Sequence, residues 1–383
     1  MRFSSKFFSL SLLSLSLAGL ATPSTAEDQL PQTKAALGEL LFFDVNLSAN
    51  RTQACTTCHD PEYGFADPRG MASIGDDGTS LGDRNAPSAS YAAFSPAFHQ
   101  NSDGQWVGGQ FWDGRAAGLA DQAGGPPTNP AEMGMKDAAA VVARLTENAV
   151  YEQAFAQLFE GDVLATPESG YAAMTEALAA FEQTETFAPF DSKYDRFLRG
   201  EAELSREEDL GRVLFFSQQF TNCNLCHQLR RSPTDPRETF TNYQFHNIGV
   251  PQNNELRAAN GVAPDTVDKG LMANPAVMDD PTQRGKFKTP SLRNVAVTGP
   301  YMHNGVFQDL RTVVLFYNQY NTTNEARHIN PETGARFGMP PVPLTLSVKE
   351  LTHGPALDDQ RVDAIVAFLK TLTDARYEHL LAK

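Results

Sequence analysis

Cys55-Thr56-Thr57-Cys58-His59 and Cys223-Asn224-Leu225-Cys226-His227 are two copies of one five-residue word, and together they use all four cysteines of the chain. The pattern C-x-x-C-H is the attachment site of a c-type haem. Two thiols at that spacing lie one helical turn apart and can form thioethers with both vinyl groups of one porphyrin. The adjacent histidine then presents its imidazole to the iron. A single C-x-x-C pair in an exported protein would read equally as a disulfide or half of a zinc site. Two pairs, each followed at once by histidine and with no cysteine left over, point instead to two covalent haem c groups.

The ends and the charge set the context. Arg2 and Lys6 precede an interrupted apolar run from Phe7 to Ala21, and Ser24-Thr25-Ala26 has the small side chains of a cleavage site. Residues 1–26 therefore read as a secretory signal peptide, too short for a comfortable membrane span, and the expected location is the periplasm. Beyond Ala26 there remain 357 residues with 29 Lys and Arg against 46 Asp and Glu, a formal charge of −17. Such a balance argues against nucleic acid or an anionic lipid surface as partner. It suits a basic redox protein, although solubility alone explains it as well.

The two haem words sit within a longer echo. Gly38-Glu39-Leu40-Leu41-Phe42-Phe43 precedes the first and Gly211-Arg212-Val213-Leu214-Phe215-Phe216 the second. Each reads as a short amphipathic helix carrying aromatic side chains toward a haem crevice. Ser205-Arg206-Glu207-Glu208 is a capping box that opens the second helix. Helical patterns cover Asp137–Gly161 and Glu168–Thr184, and Leu357–Leu381 sets Val362, Ile365, Val366, Leu369 and Leu372 on one face. Strand-like alternation is scarce. The expectation is a mostly α fold of two cytochrome-c-like domains, residues 27–195 and 196–383, each with one haem.

Further strings carry a family resemblance: Gln110-Phe111-Trp112-Asp113-Gly114-Arg115, Asn129-Pro130-Ala131-Glu132-Met133, Phe287-Lys288-Thr289-Pro290-Ser291-Leu292-Arg293-Asn294-Val295 and Thr298-Gly299-Pro300-Tyr301-Met302-His303. With both haem words, they resemble the bacterial dihaem cytochrome c peroxidases and their MauG-type relatives over nearly the whole chain. The resemblance implies an N-terminal haem that reacts with hydrogen peroxide. It implies a C-terminal haem that relays electrons or stores oxidising equivalents.

A peroxide-reactive iron needs an open position, whereas an electron-transfer iron is usually closed on both faces. Where some peroxidases place a closing histidine, this chain reads Ser73-Ile74-Gly75-Asp76, and the remaining histidine of the region, His99, reads as a loop residue. The first haem is thus expected to have His59 as its sole protein ligand. Near the second, Leu310, Val313, Val314 and Tyr317 share a helical face. Tyr317 falls where the peroxidases carry an axial methionine, which is the MauG-like choice, with Met278 and Met302 in reserve.

The resemblance also implies a glutamine and a glutamate beside the peroxide. Gln110 matches the glutamine, but Leu119-Ala120-Asp121-Gln122 has alanine where the glutamate is expected. Asp121 or Glu132 must then serve, or peroxide activation is weak. A calcium ion between the domains is implied, held through Asn85 and the carbonyls of Thr298 and Pro300. Asp76-Asp77 and Asp279-Asp280 read as solvated turns. Trp106 is a candidate electron relay between the haems, and Trp112 a residue packed near one of them.

The expected function is a peroxide-dependent oxidoreductase acting on a small cytochrome c or cupredoxin, or on a partner-protein side chain as in MauG. A homodimer is the assembly that the resemblance suggests. The competing expectation is an electron carrier or sensor without peroxide chemistry, and Ala120 is its support.

Overall fold

The computed structural model describes residues 1, 30–229 and 235–382. The cleavage site read at Ser24–Ala26 and the apolar run before it lie outside the described residues. Helices dominate the rest, and the strands form only two short antiparallel ribbons. His99–Gln100 pairs with Trp106–Val107, and Phe245–His246 with Phe287–Lys288.

Two helix crossings organise the molecule. Helix α1 (Lys34–Phe42) begins at Thr33, whose hydroxyl accepts from the Ala36 amide at 3.1 Å. The expected Asp137–Gly161 pattern divides into α2 (Ala138–Leu145) and α3 (Ala149–Leu158), because Asn148 caps a new start by accepting from Val150 N. The 16-residue α4 (Pro167–Glu182) then lies across α1. The crossing depends on Gly38: a Cβ there would stand 1.9 Å from the Ala177 carbonyl oxygen. Phe42 meets Phe181 edge-on beside it at 5.5 Å.

The second half repeats this arrangement. Helix α5 (Arg206–Phe216) opens on the expected capping box, with Ser205 and Glu208 exchanging hydrogen bonds. It crosses the last long helix, and a Cβ on Gly211 would stand 1.8 Å from the Ala364 carbonyl oxygen. Phe215 meets Phe368 at 5.3 Å. Between them comes α6 (Leu310–Asn318), and the closing helix α7 (Asp359–Lys370) carries Val362, Ile365 and Leu369 inward as the pattern requires. The helical pattern expected to reach Leu381 stops at Lys370, and a 3₁₀ segment follows from Ala375.

Each crossing anchors its own apolar core. Phe42, Phe65, Phe155 and Phe187 belong to the first, and Phe215, Phe240, Phe316 and Phe368 to the second. Phe187 packs in the first core and Tyr194 in the second, so the chain passes between them just ahead of the boundary expected at 195/196.

Buried polar contacts knit the halves together. Tyr91 donates to Asp374 at 2.6 Å, and Asn294 donates to the other oxygen of that carboxylate at 2.8 Å. Arg84 joins Asp113 and Asp268 at 2.7 Å each. A desolvated polar group gains most when every partner is present, and these groups fix the seam along which the site residues lie.

Candidate haem centres and the pocket beside the first

The two C-x-x-C-H words, an α-helical turn at Cys55–Cys58 and a 3₁₀ turn at Cys223–Leu225, hold their histidines alike. His59 N and His227 N each donate to the carbonyl of the first cysteine of the word at 2.9 Å. His59 Nδ1 lies 3.2 Å from Phe65 O, and His227 Nδ1 lies 3.1 Å from Phe240 O. Both carbonyls belong to phenylalanines in the left-handed region, with φ of 54° and 55°. A non-glycine residue there costs energy, so a shared need for that carbonyl direction explains the coincidence. Donation from Nδ1 leaves Nε2 as the free lone pair, the atom that ligates a metal.

The electrostatics suit the same group. Burial pushes the Cys55 and Cys226 thiols up to about 12 and raises Cys58 and Cys223 as well. No disulfide joins them. A desolvated surrounding of the sulfurs is what thioethers to a buried porphyrin would meet. Burial lowers the His59 imidazole and brings that of His227 down to about 4, which keeps both rings neutral. Beside His227 a cavity of about 230 Å³ is lined by Cys223, Cys226, Leu310, Val313 and Val314. The residues fit a covalent haem at each word.

Tyr317 lines that cavity on the inner face of α6. A core tyrosine with a bonded hydroxyl is illustrated one turn on by Tyr320, which donates to Ile248 O at 3.0 Å. The Tyr317 hydroxyl has no hydrogen-bond partner among the described residues. Burial, with Cys226 and Cys223 adding to it, drives its phenol far above the usual range. Such a phenol ionises only against a cation. Of the two reserve ligands, Met302 lines the same cavity, whereas Met278 is 55% exposed and outside it.

Around the first word the structure selects between the sequence alternatives. Asp121 is exposed, and its carboxylate accepts from Ala117 N at 3.2 Å in the first turn of its own helix. It does not reach inward. Glu132 is half-buried, and its charge adds to burial and Asp67 in raising the Cys58 thiol. Burial raises Glu132 above the ordinary carboxyl range, against the opposing pull of Arg115 and a hydrogen bond from Asn129. The sequence leaves Asp121 and Glu132 as alternatives, and no local pattern separates them.

Gln110 is buried and its amide donates to Ala92 O at 3.0 Å. His99 is exposed on its ribbon, so it does not close the first centre. Trp106 stacks on Phe98 at 4.9 Å within a small separate cluster containing Phe245, Leu271 and Val277. Trp112 is the tryptophan at the second cavity, and its indole N–H donates to Asn85 O at 2.8 Å. Asp76 is corrected, being buried, whereas Asp77 is exposed as expected.

Asn85 is buried, and its backbone N–H donates to His303 O at 2.8 Å, next to the Thr298–Pro300 segment. Thr298 meanwhile packs against Gly64, where an added Cβ would lie 2.8 Å from its methyl. Among the described residues no three His, Cys, Asp or Glu side chains converge on one point. A cation at this seam would thus depend on neutral oxygens.

Comparison with known proteins agrees with this geometry. The family described as di-haem cytochrome c peroxidase matches residues 32–203. The chain is 55% identical to methylamine utilization protein MauG of Paracoccus denitrificans over 364 residues, 93% of each chain. It is 32% identical to cytochrome c peroxidase Ccp of Escherichia coli over 295 residues, 76% of this chain and 54% of that one. The crystal structure of the diheme peroxidase BthA from Burkholderia thailandensis superposes with a TM-score of 0.79 at 34% identity, covering 90% of this chain and 86% of that one.

Proposed function

Because the chain belongs to the di-haem cytochrome c peroxidase and MauG family, and is a peroxide-dependent oxidoreductase with two haem c groups, we propose that it oxidises a side chain of a partner protein. Tyr317 carries this choice over a small cytochrome c or cupredoxin as reductant. A phenolate ligand stabilises ferric and higher oxidation states, whereas a thioether at the same place would raise the potential. Resemblance to MauG over 93% of the chain supports the same choice.

The residue assignments follow. Residues 27–195 hold one haem through Cys55, Cys58 and His59, and residues 196–383 hold the other through Cys223, Cys226, His227 and Tyr317. Bound, these groups supply the iron redox chemistry that takes up the oxidising equivalents of peroxide. Burial raises the Glu132 carboxyl, which suits a group that takes a proton from one peroxide oxygen and returns it to the other. Arg115, whose guanidinium lies over Phe111 at 3.6 Å and pairs with Asp113, contributes positive charge beside it. Glu132 in this role removes the support that Ala120 gave to an electron carrier.

Asn85, Thr298 and Pro300 hold calcium at the seam between the halves, and a chelator should shift the resting haem spectrum. The haem words and the segment read as a signal peptide support a periplasmic location. The test of the function is to add hydrogen peroxide to the diferric protein without a partner. A changed spectrum that persists, with slow turnover of reduced cytochrome c, is expected. Fast cytochrome turnover would favour the redox-protein substrate, and an unchanged spectrum would refute peroxide chemistry.

A further inference from the structure

Asp76 is 6% exposed in a Gly-Asp-Asp-Gly stretch that reads as surface turn. Its carboxylate accepts from Asn50 N and Thr52 Oγ1 at 2.5 Å each and from Thr52 N at 3.3 Å. Its carbonyl accepts from Thr52 Oγ1 at 3.1 Å and from Asn50 Nδ2 at 3.3 Å. Its own N–H donates to Glu132 O at 2.7 Å. No cation pairs with it among the described residues, so N–H and O–H dipoles alone neutralise the charge. Burial acts against ionisation, but those hydrogen bonds keep the carboxyl below its usual range.

Three segments therefore meet at one side chain. The turn through Asn50 and Thr52 runs directly into Cys55. The loop through Asp76 lies over it, fastened again where Gln53 Nε2 donates to Ile74 O at 2.5 Å. The third is the Ala131–Met133 stretch, which receives Ala49 N on Met133 O at 2.8 Å. Gly75 permits the close approach, since a Cβ there would stand 2.9 Å from Ala131 O. The segment bearing Glu132 is thus tied by its backbone at Glu132 O to the Asp76 loop and at Met133 O to the approach of the first haem word.

We propose that Asp76 is a positioning residue for peroxide activation, holding the backbone of Glu132 at the distance from the first haem word that its carboxyl requires. This rests on the reading of Glu132 as the proton-transfer group. An ordinary loop anchor would serve stability alone. A positioning residue instead acts through Glu132, because displacement by about 1 Å can cost up to a hundredfold in rate.

The holoenzyme decides this by a double-mutant cycle. Asp76→Ala, Glu132→Gln and the double variant are compared with wild type after haem content is verified at two per chain. Thr52→Val serves as a milder probe that removes one ligand of the Asp76 carboxylate. Peroxide kcat/KM with its pH profile, and the fluoride affinity of the resting ferric protein, are measured. Asp76→Ala should lower both by about tenfold and Thr52→Val by about threefold. Asp76→Ala should cause no further loss when Glu132 is already glutamine. Equal losses in both backgrounds would make Asp76 merely structural and overturn the inference. Wild-type values for Glu132→Gln would instead refute the role of Glu132 itself.

Discussion

Tyr91 reaches from the first half of the molecule to Asp374 at the end of the second, and its hydroxyl donates to that carboxylate at 2.6 Å. Both groups are buried, and the Arg293 guanidinium lies 5.3 Å from the Tyr91 ring. Burial drives the Asp374 carboxyl up, and the bonds from Tyr91 and Asn294 oppose that rise. Tyr91→Phe leaves one carboxylate oxygen without its donor. Thermal unfolding should show a loss of about 1–3 kcal/mol, with both haems retained. An unchanged melting temperature would mean that the bond adds nothing across the seam.

Replacing Tyr317 by phenylalanine keeps the ring that fills the cavity wall and removes only the oxygen. The resting EPR spectrum of the second haem should change, while the first keeps its signal. Met278→Ala, at an exposed position, should leave both signals alone. An unaltered spectrum in Tyr317→Phe would remove the oxygen from the ligand set.

Glu132 and Asp121 make a matched pair of carboxylates, one half-buried and raised by burial, the other exposed and bonded to Ala117 N. Glu132→Gln should lower peroxide kcat/KM by about 10²- to 10⁴-fold, the range of a lost proton-transfer group. Asp121→Asn should stay within about twofold of wild type, as surface changes away from a site do. Reversal of the two results would restore Asp121.

Glu182 ends α4 with its side chain 6% exposed, and burial pushes its carboxyl up to about 8 from an ordinary 4.5. No cation pairs with it among the described residues. Below pH 4.5 the folded and unfolded chains both hold this proton. Between there and about pH 8 only the folded chain keeps it, so its contribution to stability falls as pH rises and then levels off. Glu182→Gln should flatten that dependence. The variant should melt higher than wild type at pH 8 by about 2–4 °C, with a smaller gap at pH 5. A gap independent of pH would show that Glu182 does not titrate in this window.

Much of this was legible from local pattern. The haem words, the Ser205 capping box and the inward face of α6 each depend on residues within a few positions of one another, and each stands in the structure. What escaped depends on contacts far apart in sequence. Asp76 resembles a turn residue because glycines flank its Asp-Asp pair, yet its partners Asn50 and Thr52 lie 26 and 24 positions upstream. Glu132 sits in a proline-containing loop, and its burial, which raises its carboxyl, distinguishes it from an ordinary loop acid. The stack of Trp106 on Phe98 follows from strand pairing with His99–Gln100, which its place before the Gln110 motif does not signal.

The carbonyls of Phe65 and Phe240 back their histidines at 3.2 and 3.1 Å, and the Pro290 backbone adds a second bond to His227 alone. A haem bound at each word would thus meet a nearly matched carbonyl behind its histidine, and the surroundings that differ between the halves would set any difference in potential. The protein thus contains its own control experiment. Exchanging opposite-side residues between the halves would report their effect on iron directly, with the rear contribution held constant.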